Sequence, residues 1–256
     1  MKIVSVHSLK GGTGKTTLVS LIVSALVAAG YRCLIIDTDA SNNSLSYFFS
    51  DNEPESLEQM KTVFHLFMGE KADNCVIHIN PNLDLIHGDV RLNEFRSADS
   101  LKKLKRILKD LDYDFCIIDT SPTYDNIIGN VLTASDVLLV PIQQDVFSYQ
   151  ALQYQFDKIA DLELENLDVQ VVFNGFENPM NDNKGTYRNQ VTNMFLEDEN
   201  LKPYINPNRI SKSSFYRKYI NLDNYRIEDK GGTQKCFGEV KALVNAILGI
   251  EIKEGF

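Results

Sequence analysis

The sequence predicts an α/β fold: a mostly parallel, twisted sheet with helices on both faces. Three observations predict it. A β-branched run, Lys2–Val6, leads through a glycine-rich turn into an apolar segment of helical length that ends at Gly30. Apolar runs of strand length recur at 32–36, 115–118, 137–142 and 168–173, separated by segments long enough for helices. That is the pattern of buried parallel strands joined by right-handed crossovers. Two of these runs end in aspartate and one in asparagine, and an open α/β sheet gathers its functional groups at the carboxyl ends of its strands.

Composition bounds the alternatives. The 256 residues are 43% hydrophobic and 24% charged, with a net charge of −9. This is ordinary globular usage, with chain enough for a large core. The acidic balance excludes a polycation built throughout for nucleic acid, so any such contact needs a local basic patch. Cys33, Cys75, Cys116 and Cys236 form no C-x-x-C pair, which points to a reducing, cytosolic compartment. His7, His65, His78 and His87 lack metal-ligand spacing and read as structural or surface residues. The N-terminus runs straight into a strand with no signal segment, and no apolar run is long enough to span a membrane. No repeat or clean boundary divides the chain, which reads as one domain over 1–256.

The first strand feeds Lys10-Gly11-Gly12-Thr13-Gly14-Lys15-Thr16-Thr17. Glycines let the backbone turn sharply and bring N–H groups close to phosphate oxygens. The helix that follows aims its unpaired N–H groups and positive dipole end at the same anion. In such a loop Lys15 reaches the terminal phosphates and the Thr16 hydroxyl binds the Mg2+ that travels with a nucleoside triphosphate. The usual pattern is G-x-x-x-x-G-K-[ST]. Here Leu9 occupies its first glycine position and a second lysine, Lys10, opens the loop. The helix is apolar almost all round and is expected to be buried, with Gly30 as its C-terminal stop.

The second strand, 32–36, ends in Asp37-Thr38-Asp39 beside this loop. Asp37 either supports the metal-water shell and the loop or caps the next helix. Residues 42–75 are less regular, with a helix expected over 58–67 in a core role. Val76–Ile79 and Leu83–His87 read as two short strands joined at Asn80-Pro81-Asn82. A helix over Asp99–Leu111 buries Leu101, Leu104, Ile107, Leu108 and Leu111. Its other face carries Lys102, Lys103, Lys105, Arg106 and Lys109, either simply solvated or an anionic contact surface.

Phe115–Ile118 is a buried strand that ends in Asp119, the Walker B layout, where the carboxylate holds magnesium through its water shell opposite Thr16. A helix and strand follow to Ile142, then a loop over 143–148 and a helix over 149–160. The strand 168–174 ends in Asn174, before a turn expected at Gly175. A loop at 178–185, a helix over 187–197 and a last strand region at 203–210 come next. Arg209, Lys212, Arg217 and Lys218 then cluster with Phe215, Tyr216 and Tyr219. The final helix is expected over 240–248.

The variant K-G-G-x-G-K-T-T, the D-x-D element at Asp37–Asp39 and the D-x-x-P element at Asp119–Pro122 resemble the ParA/MinD family of deviant Walker A ATPases, closest to its ParA-type partition members. The resemblance is strong over 1–45 and 111–150 and weak over 46–80 and 176–235. It implies a P-loop NTPase that binds ATP and Mg2+ through residues 10–17. It implies an ATP-dependent homodimer in which Lys10 crosses to the partner's phosphates. It assigns the attacking water to Asp39, γ-phosphate sensing to the switch around Asp119 and Pro122, and adenine recognition to Asn174, an assignment that competes with a plain turn role for that residue. Ala40-Ser41 stands where the family continues Pro-Gln, which leaves the shape of this switch open. The family's DNA contact, non-specific and phosphate-driven, maps onto Arg209, Lys212, Arg217 and Lys218, which read otherwise as a solvated basic segment. The implied function is plasmid or chromosome partition with a ParB-like adaptor. The alternative is an ATP-gated positioning factor that acts on a protein complex or membrane without DNA. The tail, 251–256, is not the basic amphipathic end of a membrane anchor. A metabolic phosphate-transfer enzyme is disfavoured by Lys10.

Overall fold

The computed structural model describes residues 1–39, 44–49, 60–94, 100–164, 166–178, 186–214, 216, 220–221, 226–227 and 233–252. The expectations for Ala40-Ser41, most of 42–59, Arg96, the 179–185 loop, Arg217, Lys218 and the tail 253–256 lie outside the described residues.

Eight strands form one sheet. In chain order they are β1 (Lys2–Val6), β2 (Cys33–Thr38), β3 (Val76–Asn80), β4 (Leu83–Ile86), β5 (Phe115–Thr120), β6 (Val137–Ile142), β7 (Asp168–Phe176) and β8 (Ile210–Ser211). Their spatial order is β3-β4-β2-β5-β1-β6-β7-β8. All neighbours are parallel except the β3–β4 hairpin. The central strands are buried on both faces, so β2, β5 and β6 are fully buried along their length. This is why they read as continuous apolar runs and not as alternating ones. Pro141 fits within β6 because of where β1 ends. Leu139 O accepts from His7 N, so Pro141, two residues on, turns its missing N–H toward the place where β1 has already left the sheet.

Side chains alternate between two helical layers. Val4, Val6, Cys33, Ile35, Phe115 and Ile117 pack under α1 (Lys15–Ala28), α2 (Ser44–Phe49) and the C-terminal helix, α8 (Thr233–Leu248). Ile3, Leu34, Ile36, Cys116 and Ile118 face α3 (Val63–Met68), α4 (Lys103–Leu108) and α5 (Asn126–Ala134). Beyond α5, the layer continues as α6 (Val146–Ala160) and α7 (Tyr187–Glu197) over β6 and β7. A two-stranded antiparallel pair, β9 (Ile220–Asn221) and β10 (Arg226–Ile227), lies against α1. All four cysteines are buried and free.

Several boundaries differ from the sequence expectations, each for a local reason. α6 begins at Val146, three residues early, because Asp145 caps it by accepting from Ser148 N at 2.9 Å. β7 runs through Gly175, whose φ of +74° makes an irregular register with β8 where a turn was expected. α8 begins at Thr233, well before the apolar stretch that announced it. α4 is shorter than expected and starts at Lys103, where the buried Asn130 side chain accepts from the backbone N–H groups of Lys103 and Leu104 at 3.1 and 3.3 Å. That amide supplies the cap that the sequence before α4 lacks.

Asn130→Ala takes the side-chain acceptor from Leu104 N and leaves Lys103 N with the Ser100 carbonyl. It is expected to cost about 1–3 kcal/mol of stability, read as a lower urea midpoint with an unchanged m-value.

Candidate nucleotide-binding site

The carboxyl ends of β1, β2, β5 and β7 converge on the glycine-rich loop. Gly12 and Gly14 have φ of +74° and +84°, a region that side-chain-bearing residues avoid. Gly14 is constrained twice over, because a Cβ there would strike the Asn174 amide. Asn174 Nδ2 donates to Thr13 O at 2.7 Å and to Gly14 O at 3.4 Å. This residue therefore clasps the loop, a role that neither the adenine reading nor the turn reading contained.

Lys15 opens α1 and is buried, with its ammonium 3.4 Å from Ser8 O. Burial pulls its pKa down, opposed by the carboxylates of Asp119 and Asp39. Thr16 Oγ1 donates to Asp119 Oδ2 at 2.7 Å, so the two residues expected to serve a metal are in direct contact across the β1–β5 pairing. Asp119 is fully buried. Desolvation and the neighbouring Asp37 push its pKa up to about 8, against the Thr16 hydrogen bond and Lys15.

Asp37 is also buried, and burial raises its pKa. Its carboxylate accepts from Ser46 N and Ser46 Oγ on α2 at 2.9 and 2.6 Å, and from Asp39 N at 3.0 Å. Asp37 thus ties down the first turn of α2, as its capping reading expects, and also fixes the backbone of Asp39. Asp39 lies just beyond β2 and is 7% exposed. On the β5 side, Ser121 and Thr123 share a hydrogen bond and Thr123 bonds Asp125, the cap of α5. Pro122 is thus held in a short bridge between the Asp119 strand and α5.

The oxygen-only donor set of Thr16 and Asp119, with Asp37 and Asp39 beside it, suits a hard divalent cation. Among the described residues no His, Cys, Asp and Glu cluster forms a complete metal cage. A small cation that keeps waters and phosphate oxygens in its shell fits this arrangement.

Lys10 points elsewhere. Its ammonium bonds Asp145 Oδ2 at 2.5 Å, Gln143 Oε1 at 3.1 Å and Ser148 Oγ at 3.2 Å, all at the start of α6. Gln143 Nε2 donates to Gly12 O at 3.0 Å. Gln155 accepts from Leu9 N and donates to His7 O, both at 3.3 Å. These four α6-side residues buttress the loop, and the sequence reading missed them. Only the Asp145-x-x-Ser148 cap carried a local signal. His7 is buried, with Nδ1 2.9 Å from Thr120 Oγ1. Burial and Lys15 lower its pKa to about 3, so it is a neutral spacer between the ends of β1 and β5.

The expected DNA residues are engaged within the chain where they are described. The Arg209 guanidinium lies 4.3 Å from the Phe176 ring centroid and 5.5 Å from that of Phe173. Lys212 pairs with Glu177 at 2.7 Å, and Glu177 also holds Arg188. These side chains line a cleft of about 580 Å³ at the carboxyl ends of β7 and β8.

Asp119 gives the site a pH signature. The folded chain favours its acid form, so between the ordinary carboxylate range and about pH 8 it binds more protons than the unfolded chain. Stability from this group is therefore lost as pH rises through that window. Nucleotide-free Asp119→Asn is expected to exceed wild type by more than ~1 kcal/mol near pH 8, with the gap closing toward acid. Thermal melts across pH check this, and a gap independent of pH contradicts it.

Comparison with known proteins places this geometry. The AAA-domain family AAA_31 matches residues 1–173. The chain is 25% identical over 248 residues to the chromosome partitioning protein ParA of Myxococcus xanthus, covering 90% of this chain and 83% of that one. It superposes on an ATP complex of a point variant of McdA from Cyanothece with a TM-score of 0.82 at 23% identity, covering 100% and 99% of the two chains. It also superposes on a plasmid partition protein of Borrelia burgdorferi bound to AMPPNP, with a TM-score of 0.75 at 23% identity, covering 96% and 98%. With its second loop lysine, its D-x-D strand end and its Walker B aspartate, the chain belongs to the AAA-domain family and, within it, to the ParA/MinD ATPases.

Proposed function

We propose that this chain is an ATP-dependent dimeric switch ATPase. Its ATP form binds DNA without sequence preference, and a ParB-like adaptor stimulates hydrolysis and so releases it, as plasmid or chromosome partition in the cytoplasm requires. The observation that carries the reading is the division of labour between two lysines in one loop. Lys15 is buried against the loop backbone, whereas Lys10 leaves the loop toward α6. A second lysine held outside its own phosphate cradle has a use in a neighbouring subunit's site.

In this reading the amides of 11–14, with Lys15, Thr16 and Thr17, hold the triphosphate. Asn174 exchanges its loop contacts for the adenine edge. The Thr16 hydroxyl would hold Mg2+ and Asp119 would do so through its water shell, with Asp37 behind them, and charge neutralisation at the phosphates is the chemistry the ion would supply. Asp39 orients a water whose oxygen attacks the γ-phosphorus. The bond to the β–γ bridging oxygen breaks, and ADP and phosphate leave. Lys10 of the partner stabilises the charge that develops, as an arginine finger does. The switch of Asp119 and Pro122 relays the loss of the γ-phosphate to α5.

A second reading, a cargo-positioning ATPase that never touches DNA, is favoured by the net charge of −9. Among the described residues no helix is long and apolar enough to cross a membrane.

The test is sedimentation with ATP, ADP or neither, together with phosphate release and retention on a non-specific duplex. ATP-only dimers that retain DNA support partition. Dimers without DNA retention at low salt leave the positioning reading, and no dimer at all defeats both. Lys10→Ala is expected to bind ATP yet stay monomeric. Asp39→Ala is expected to lock the ATP dimer and slow turnover by at least ~100-fold. Asp145→Ser keeps a good helix cap while removing the carboxylate that holds Lys10 and leaving its neutral contacts to Gln143 and Ser148, and is expected to tighten the ATP dimer by up to about tenfold.

A further inference from the structure

Among the described residues, a group of like charges that this function leaves unused lies along α4. Lys102, Lys105, Arg106 and Lys109 are all exposed. They stand at i, i+3, i+4 and i+7, so they share one stripe about 10 Å long. Among the described residues none of the four has an ion-pair partner. Asp112, which follows the helix, is already paired with Arg32. Asp99, three residues before Lys102, and Asp110 are the other acids close by in sequence, fewer than the four cations.

Like charges at these spacings oppose helix formation by about 0.2–0.5 kcal/mol per pair. The fold nevertheless fixes them in place. Leu104 and Leu108 are buried in the core beneath, and Asn130 caps the first turn. A rigid, uncompensated basic stripe on a chain of net charge −9 is a site for a polyanion.

We propose that this stripe is the surface by which the chain holds the phosphate backbone of duplex DNA, in place of the Arg209 and Lys212 region. The inference rests on the DNA-binding reading above. Three observations favour it. Arg209 is stacked on Phe176 and Lys212 is paired with Glu177, so neither is a free cation. The α4 cations are long, flexible and unpaired, as a contact made by counterion release needs. Leu104 and Leu108 of α4 are spent in the core and Leu101 alone stays exposed beside the stripe, too little apolar surface to enter a bilayer, which argues against a lipid surface.

The experiment uses the full chain with ATP and Mg2+ on a fluorescent random-sequence duplex, titrated with salt by anisotropy. It compares wild type with the combined Lys102→Ala, Lys105→Ala, Arg106→Ala and Lys109→Ala variant, and with Arg209→Ala/Lys212→Ala. Circular dichroism and nucleotide affinity confirm that each variant is folded. The α4 variant is expected to lose about 3–4 from the log–log salt slope, at roughly 0.9 per phosphate contact, and more than ~100-fold in affinity at low salt. The Arg209/Lys212 variant is expected to keep the wild-type slope to within about one.

An α4 variant with the wild-type slope overturns this proposal and leaves the DNA-binding reading standing. Wild type that shows no salt-sensitive binding overturns both. Wild type that binds polyglutamate or phosphatidylserine vesicles through α4 more tightly than duplex overturns it in favour of an acidic protein or a membrane.

Discussion

Three carboxylates, Asp37, Asp39 and Asp119, are buried within one corner of the sheet beside a single buried ammonium, Lys15. Charge of one sign removed from water is costly unless it is bonded or neutralised. The chain meets that cost in two different ways. Asp37 takes three donors from the backbone and side chains around it. Asp119 takes two donors, Thr16 Oγ1 and Thr120 N, and burial beside Asp37 still pushes its pKa up to about 8. The remaining imbalance is what a cation arriving with phosphates corrects.

The sheet makes that imbalance possible. The register aligns Asp37 with Asp119 on neighbouring parallel strands, so two acid-ended strands deliver their carboxylates side by side. β1, on the other side of β5, ends where the glycine loop begins. The loop is then fixed from outside by groups on other elements: Asn174 from β7, and Gln143 and Gln155 from the α6 side. A loop that must offer its own N–H groups to an anion cannot use them for its own folding. Its carbonyls are what the neighbours hold.

The central strands, the loop and α1 were legible because their signals are local: apolar runs of strand length, glycines between them, and acids at strand ends. The clasp and the buttress were not. Asn174 and Gln155 lie more than a hundred residues from the loop they hold, and a glutamine within an amphipathic helix has no pattern that names its partner. Residue 174 stands out in the sequence as a polar strand end, yet its partner depends on where the loop carbonyls point. The short β8, with two residues, and the early start of α8 are set by packing and by the bonds from Ser211 to Glu239. Periodicity over such lengths carries little information. For Arg209, counting charge suggested a free cation, and only the stacking on Phe176 showed otherwise.

The Lys10–Asp145 contact has a further consequence for how such a molecule responds to its own abundance. In the proposed two-fold dimer each subunit must release one such lysine, so the penalty enters twice. A contact worth ~0.7 kcal/mol in one chain then weighs ~1.4 kcal/mol on the pair, a factor of ten in the dissociation constant. Because assembly is second order in the chain, a weak internal contact of this kind is enough to set the local density below which the molecules stay apart. The threshold for assembly is thus encoded in the monomer, in the strength with which one loop lysine is held by the cap of α6.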